Sequence, residues 1–373
     1  DDAAGSDSSG SSGPSNYSTT NVQEVGVDEA DLVKTDGEYV YVLDSGTLSI
    51  VRSWPAENAE LVSQIDLSRF TDSGGVSEKM FLSDDRILVY TNEWADKGDV
   101  WTAQTGVIVV DLTDRKAPQV IQHKLLDGNL VSARMIGSDV YTVLSNNIEL
   151  PYSMYESMYA LESAMYESIF DWGWDSTTID QISAKERLKD LYRPFVTEAV
   201  ANVGAQNLLP EITHEDGTTE ALMGCTDVLY SKDASVPSLT TVVHVNLNDD
   251  SMGVSANSTG VMAGSTTVYS STKNLYIAQS SYGWWDGISE ISRETRIHRL
   301  ELDGKHSEYT ATGVVDGYLH NQFSMSEYNG MLRVATTYDD WWWGTESQNQ
   351  KSGNNVFILD AEQPQMGIIG AVT

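Results

Sequence analysis

The chain has 373 residues, 40% hydrophobic and 21% charged, which is enough apolar sequence for one large all-β domain or two ordinary ones. Its 55 acidic residues against 22 basic ones give a net charge of −33, which repels phosphate backbones and argues against nucleic acid as a partner. No apolar run reaches the roughly eighteen residues of a spanning helix, and the single cysteine, Cys225, excludes an intrachain disulfide and a cysteine-rich metal site.

Residues 1–18, DDAAGSDSSGSSGPSNYS, read as a Gly/Ser/Asp tether. A tether of this kind follows a removed signal peptide or a lipidated anchor, so the expected location is extracellular or the cell envelope. TTNVQEVGV comes next and is a candidate for a strand that closes a ring of sheets. GVDEAD then places Asp28, Glu29 and Asp31 together. Three oxygen donors in four residues are candidate Ca²⁺ or Mg²⁺ ligands, with the remaining ligands drawn from elsewhere. The competing reading is turn-making and capping.

From residue 38 onward one unit returns five times: an apolar strand, a loop, and a second strand ending in an acidic or polar turn. The pairs are EYVYVLDSG with TLSIVRS, RILVYTNEW with GVIVVDLTD, DVYTVLS with TVVHVNLND, NLYIAQSS with TRIHRLELD, and MLRVATTYD with NVFILDA. Their first strands start at Glu38, Asp85, Asp139, Asn274 and Met331, spaced 47, 54, 135 and 57 residues apart. Further strands flank each pair: ADLVKT and ELVSQIDL, KMFLS and PQVIQHKLL, SARMIG, VMAGSTTVYSS and EYTATGVV, NQFSMSE and MGIIGAV. Four strands per unit at this period predict an all-β fold, a β-propeller of at least five four-stranded blades over residues 19–373.

The long third interval contains an insertion, about 151–223, that breaks the β pattern. Tyr152, Tyr155, Tyr159 and Tyr166 recur at helical spacing, and Leu188, Leu191, Tyr192, Phe195 and Ala199 share one helical face. The opposite face collects Lys185, Arg187, Lys189 and Arg193. The expectation is a helical insertion in blade three.

The segment TTNVQEVGVDEADLVKTDGEYVYVL resembles the opening of a family of secreted bacterial and archaeal proteins carrying a C-terminal β-propeller distantly related to WD40 repeats. TNVQ, GVDEAD and VKTDG followed by an aromatic strand carry the match, and MGCTDVLY and VVDLTDRKAPQVI are similar too. The resemblance implies a propeller, an envelope or extracellular location, and a family that extends past the end of this chain. It implies no activity and no catalytic residue.

Candidate chemistry concentrates in the loops between second and third strands. These hold Trp94 and Trp101, Trp172 and Trp174, Trp284 and Trp285, and Trp341, Trp342 and Trp343. Acids accompany them, among them Glu93, Asp96, Asp286, Asp339 and Asp340. Indoles beside carboxylates stack on sugar rings and attract cationic side chains, so a protein or carbohydrate at the cell surface is the expected ligand. The bland alternative packs these tryptophans into a small core of their own. His244 and His298 fall on matching third strands and read as repeat architecture. No G-x-S-x-G elbow, P-loop or dinucleotide fingerprint is present. A non-enzymatic binding scaffold is therefore the leading reading, and a carbohydrate hydrolase using paired carboxylates is the alternative.

Overall fold

The computed structural model describes residues 21–71, 76–97, 101–147, 208–229, 238–249, 258–264, 267–280, 294–339 and 352–373, together with helical positions 156, 159, 190, 192–198 and 201. A two-residue strand, β1 (Asp28–Glu29), comes first. The first sheet is β2 (Val33–Thr35), β3 (Tyr39–Asp44), β4 (Thr47–Arg52) and β5 (Glu60–Asp66), side by side in that order. The second begins with β6 (Val76–Ser83), β7 (Arg86–Asp96), β8 (Trp101–Asp111) and β9 (Gln119–Asp127). The third opens with β10 (Asn129–Ile136) and β11 (Asp139–Asn147). A long connection then carries β12 (Glu211–His214), β13 (Thr219–Ala221) and β14 (Val228–Leu229), before β15 (Ser238–Asn246) and β16 (Thr259–Val261) complete the third sheet. The fourth is β17 (Thr267–Ser270), β18 (Asn274–Ser280), β19 (Glu294–Leu302) and β20 (Ser307–Asp316). The fifth is β21 (Met325–Tyr328), β22 (Met331–Asp339), β23 (Ser352–Asp360) and β24 (Ile368–Val372). The five repeated pairs are the second and third strands of these sheets.

Local chemistry explains the hairpins. In β3–β4, Asp44 pairs with Thr47, and the two residues between them, Ser45 and Gly46, have φ of 48° and 81°. Two successive positive φ angles make the tight turn whose twist matches that of the strands. Asn329 and Gly330, with φ of 51° and 73°, do the same between β21 and β22.

Alternation then builds the cores. On β7, Ile87 and Val89 pack with Tyr41, Leu43 and Ile50 of the first sheet. Leu88 and Tyr90 point the other way, toward Ala133, Val140 and Leu144 of the third. Val143 and Val242 meet Leu275 and Ile277 between the third and fourth sheets, and Tyr276, Ala278 and Ile297 meet Leu332, Val334 and Phe357 between the fourth and fifth. Each fully buried aliphatic side chain contributes about 1.5–3 kcal/mol. Among the described residues no buried apolar cluster joins the fifth sheet to the first, and the series of sheets is not closed on itself.

The segment before β2 is a hub. β1 pairs antiparallel with β10 of the third sheet, and Asp31 bridges to Met80 on β6, an edge strand of the second. Gln23 Nε2 donates to the carbonyls of Gln322 and Met325 at 3.1 and 3.0 Å, reaching the fifth sheet. The Tyr269 hydroxyl of the fourth sheet donates to Glu24 at 2.7 Å. Residues 23–31 thus touch four of the five sheets and lead directly into the other.

Several expectations are corrected. Residues 21–27 of TTNVQEVGV form no strand, because their polar groups bond to the inner ends of the fourth and fifth sheets instead. VMAGSTTVYSS is split: its start finishes β16 and its end makes β17, in different sheets. NQFSMSE opens as a single turn of 3-10 helix, Gln322–Ser324, capped by the Asn321 side chain, and only then becomes β21. Within 151–223, β12 and β13 are strands: an antiparallel hairpin added to the outer edge of β9, making the second sheet six-stranded. The connection leaving the third sheet therefore straps onto the second. Residues 192–198 are helical, with Phe195 exposed, and the rest of the expected tyrosine and leucine stripes lies outside the described residues apart from Tyr159 and Tyr192.

Candidate binding surface

β7 and β8 are each eleven residues long and pair without interruption from Arg86–Asp111 to Asp96–Trp101. Trp94 and Trp101, expected in a loop, are strand residues at the far end of this hairpin. The β7–β8 pairing continues past the core to Asp96, and no Gly or Pro interrupts it before Gly98. Trp94 pairs with Ala103 and Trp101 with Asp96, so the register places both tryptophans and Asp96 on one face. It is the same face whose deeper residues, Leu88 and Tyr90, pack on the third sheet. Diagonal neighbours of this kind lie roughly 7–8 Å apart, within reach of a shared ligand. Trp94 is 57% exposed and Trp101 64%. Two large indoles stand side by side in water there, leaving apolar surface whose burial would be favourable.

The acids near this hairpin separate into two groups. Glu93 points to the opposite face, is buried, and accepts a hydrogen bond from the Thr91 hydroxyl at 2.9 Å, so it is not part of the tryptophan surface. Asp127, at the end of β9, accepts from Lys97 Nζ at 2.6 Å, from Gln104 Nε2 at 2.9 Å and from the Glu211 amide at 2.9 Å. Lys97 also reaches Glu211 at 3.0 Å. This cluster fastens the tip of the hairpin to β12 of the strap. Burial alone lowers the Lys97 pKa, but Asp127 and then Glu211 outweigh it and hold the ammonium above the usual lysine value. Its contribution is complete below the ordinary lysine pKa and disappears only as pH rises through the elevated one. Lys97→Met leaves the buried Asp127 carboxylate without a counter-charge, and Lys97 is partly exposed, so we expect a loss of about 1–2 kcal/mol. Denaturant unfolding measures it, and amide exchange over β12–β13 should accelerate ahead of the rest.

Asp28, Glu29 and Asp31 do not converge. Asp28 accepts from Lys34 Nζ, 2.8 Å from both its oxygens, beneath the Phe81 ring. Glu29 accepts from Gln322 Nε2 at 3.0 Å, and Asp31 from the neighbouring Leu32 amide at 2.7 Å. Among the described residues no group of three or more His, Cys, Asp or Glu is placed to hold a metal ion. A cavity of about 310 Å³ opens beside this hub, lined by Val27, Asp28, Lys34, Leu82 and Met135, and its two charges are spent on each other. His244 and His298 lie on third strands, β15 and β19. His244 Nε2 sits 2.9 Å from Asp139.

The remaining candidates are placed by connectivity. Trp172 and Trp174 fall between β11 and β15, Trp284, Trp285 and Asp286 between β18 and β19, and Asp340 with Trp341, Trp342 and Trp343 between β22 and β23. All of these lie outside the described residues, and Asp339 is described only as the last residue of β22, paired with Ser352. Sequence reasoning missed Arg134, the buried cation of the hub, whose Nη2 donates to Val268 O at 3.1 Å and Gln322 Oε1 at 2.7 Å. No local pattern announces it.

Against known proteins, a family model described as beta propeller domain matches residues 17–373. An uncharacterized protein of Methanocaldococcus jannaschii is 24% identical over 375 residues, covering 96% of this chain and 55% of that protein. An uncharacterized protein of Archaeoglobus fulgidus is 24% identical over 395 residues, covering 95% of this chain and 56% of that protein. The chain thus spans about half the length of the curated relatives it matches.

Proposed function

We propose that this chain, which belongs to the beta propeller domain family, is a non-enzymatic binding scaffold. The five sheets are read as five four-stranded blades, with about 151–223 an insertion in the third that is partly helical and partly the strap on blade two. Connections between second and third strands leave every up-and-down sheet at the same end. The loops carrying Trp172, Trp174, Trp284, Trp285, Trp341, Trp342 and Trp343 would then gather with Trp94 and Trp101 on one side of the blades. Asp286, Asp339 and Asp340 would supply acceptors there. The ligand is a protein or a carbohydrate outside the cell, reached by a protein that is exported and held at the surface through its 1–18 tether.

The observation that supports this reading is the pair Trp94–Trp101, side by side and exposed on a hairpin that overshoots its core. A hydrolytic alternative needs two carboxylates free to exchange protons. Of the carboxylates around the hairpin tip, Asp127 and Glu211 are both committed to Lys97. The test is a glycan and envelope-protein binding screen with the fluorescently labelled chain, run with and without Ca²⁺. Each of Trp94→Ala and Trp101→Ala should weaken the selected ligand about 30-fold, the effect of losing a stacking contact of about 2 kcal/mol. Their thermal midpoints should stay with the parent, since exposed positions tolerate substitution. Ligands bound equally well by the double variant would remove the hairpin from the site.

A further inference from the structure

Trp94 and Trp101 are diagonal neighbours on one face of the β7–β8 hairpin, both exposed, with Asp96 directly across from Trp101. The diagonal spacing of roughly 7–8 Å is two van der Waals contacts of about 3.5–4.0 Å each, so one flat group fits between two such side chains. The charge around the rings is negative. Asp96, Asp127 and Glu211 are three carboxylates against the one ammonium of Lys97, which lies on the opposite face and is held by Asp127 and Glu211. The net charge of −33 carries the same sign over the whole molecule, and it draws cationic partners toward the surface.

Polar side chains on the tryptophan face are few. The positions flanking Trp94 there are Asn92, Asp96 and, across the pair, Ala103, which bring one half-buried amide, one carboxylate and one methyl. A sugar ring carries hydroxyls around its whole rim, and covering them without fixed partners is unfavourable. A guanidinium is flat, weakly hydrated and stacks through its faces, leaving its N–H edge to a carboxylate and to water. The compact, strongly hydrated ammonium of lysine makes poorer use of two ring faces. We infer that the Trp94–Trp101 face takes an arginine side chain of a partner protein, its guanidinium between the two indoles and its N–H groups toward Asp96. This rests on the reading of the hairpin as a binding surface and names the chemistry that the surface recognises.

The test uses the whole chain and three fluorescent Gly/Ser peptides that differ only in carrying arginine, lysine or citrulline at the same positions. Citrulline keeps the plane of arginine without its charge, and lysine keeps the charge without the plane. By fluorescence anisotropy the arginine peptide should bind about tenfold more tightly than either of the others. Added salt should weaken the arginine and lysine peptides together and leave the preference between them in place. Trp94→Ala and Trp101→Ala should each abolish that preference, and Trp94→Phe should retain part of it. Asp96→Asn should weaken the arginine peptide about threefold. Glu57→Gln, which removes an exposed charge from the connection between β4 and β5, should change nothing. Arginine and lysine peptides bound alike, with or without the tryptophans, would overturn the inference, because attraction to the acidic surface as a whole would explain them. Oligosaccharides that bind through the tryptophans while the arginine peptide does not would also overturn it, and would leave the hairpin a binding surface. If no ligand of either class depends on the tryptophans, that reading of the hairpin falls as well.

Discussion

Replacing Arg134 by leucine is expected to destabilise the domain by about 3–5 kcal/mol, the largest effect of any single substitution considered. Arg134 is buried at the centre, and its guanidinium joins three parts of the fold: Ser132 and Ala133 of β10, Val268 of β17, and Gln322 ahead of β21. Burial pushes its pKa down, while the Glu29 charge pulls it up. Leucine removes every one of those donors, taking a hydrogen bond from the Val268 carbonyl and one from the Gln322 amide oxygen, and the Arg134 charge from the surroundings of Glu29. Orphaned buried acceptors cost about 1–3 kcal/mol each, and breaking a buried charge arrangement on one side alone costs about as much as the whole effect expected. Urea unfolding of the variant measures the loss. Glu29→Gln in the same background should recover part of it, since the uncompensated carboxylate goes with it, so the two substitutions should be strongly non-additive. A loss below about 1 kcal/mol would mean that the hub does not hold the sheets together.

The contrast between what was legible in the sequence and what was not follows from distance along the chain. β3 and β4 were readable because YVYVLD and TLSIVR alternate and a Ser-Gly turn joins them, all within fourteen residues. β12–β13 carries a weaker signal, an Asp-Gly turn inside EITHEDGTTEA, and it sits in a stretch dominated by helical spacing. The extension of β7 to Asp96 is compatible with a stretch free of Gly and Pro up to Gly98, but TNEWAD has no alternation that marks it as strand. Trp94 and Trp101 stand outside the apolar core pattern and so read as loop residues, while the register shows that the strand outlasts the core.

The hub had no such signal. Glu29 and Gln322 are 293 positions apart, and Gln23 and Met325 are 302 apart, so neither periodicity nor a turn could pair them. GVDEAD looked like a cluster of oxygen donors because three acids lie close in sequence. In the fold, strand alternation and the bridge to Met80 send their side chains to different partners. A close run of acids becomes a metal site only where the backbone turns them toward one point, and β1 is extended.

The titration of His298 should be the next largest effect. His298 lies on β19, about 1% exposed, with Nδ1 3.1 Å from the Tyr309 hydroxyl and Nε2 without a hydrogen-bond partner among the described residues. Burial, followed by the positive charge of Arg296, pushes its pKa from 6.5 down to about 4. The unfolded chain therefore takes up a proton below about pH 6.5, which the folded chain refuses until about pH 4. Stability must fall as pH falls across that window, by roughly 1.4 kcal/mol per unit and roughly 3 kcal/mol in all, with no contribution above it. Many of the 55 acidic residues also titrate there, so the parent's own pH profile does not isolate the effect. The difference between parent and His298→Phe does, because phenylalanine keeps a ring in place and carries no proton. That difference should be flat from pH 8 to 7 and then move by roughly 3 kcal/mol in favour of the variant on going to pH 4. The replacement also costs the Tyr309 hydroxyl its partner, which adds a constant offset of about 1 kcal/mol against the variant without altering the slope. If the two unfolding profiles stay parallel from pH 7 to 4, His298 is not held neutral by its burial.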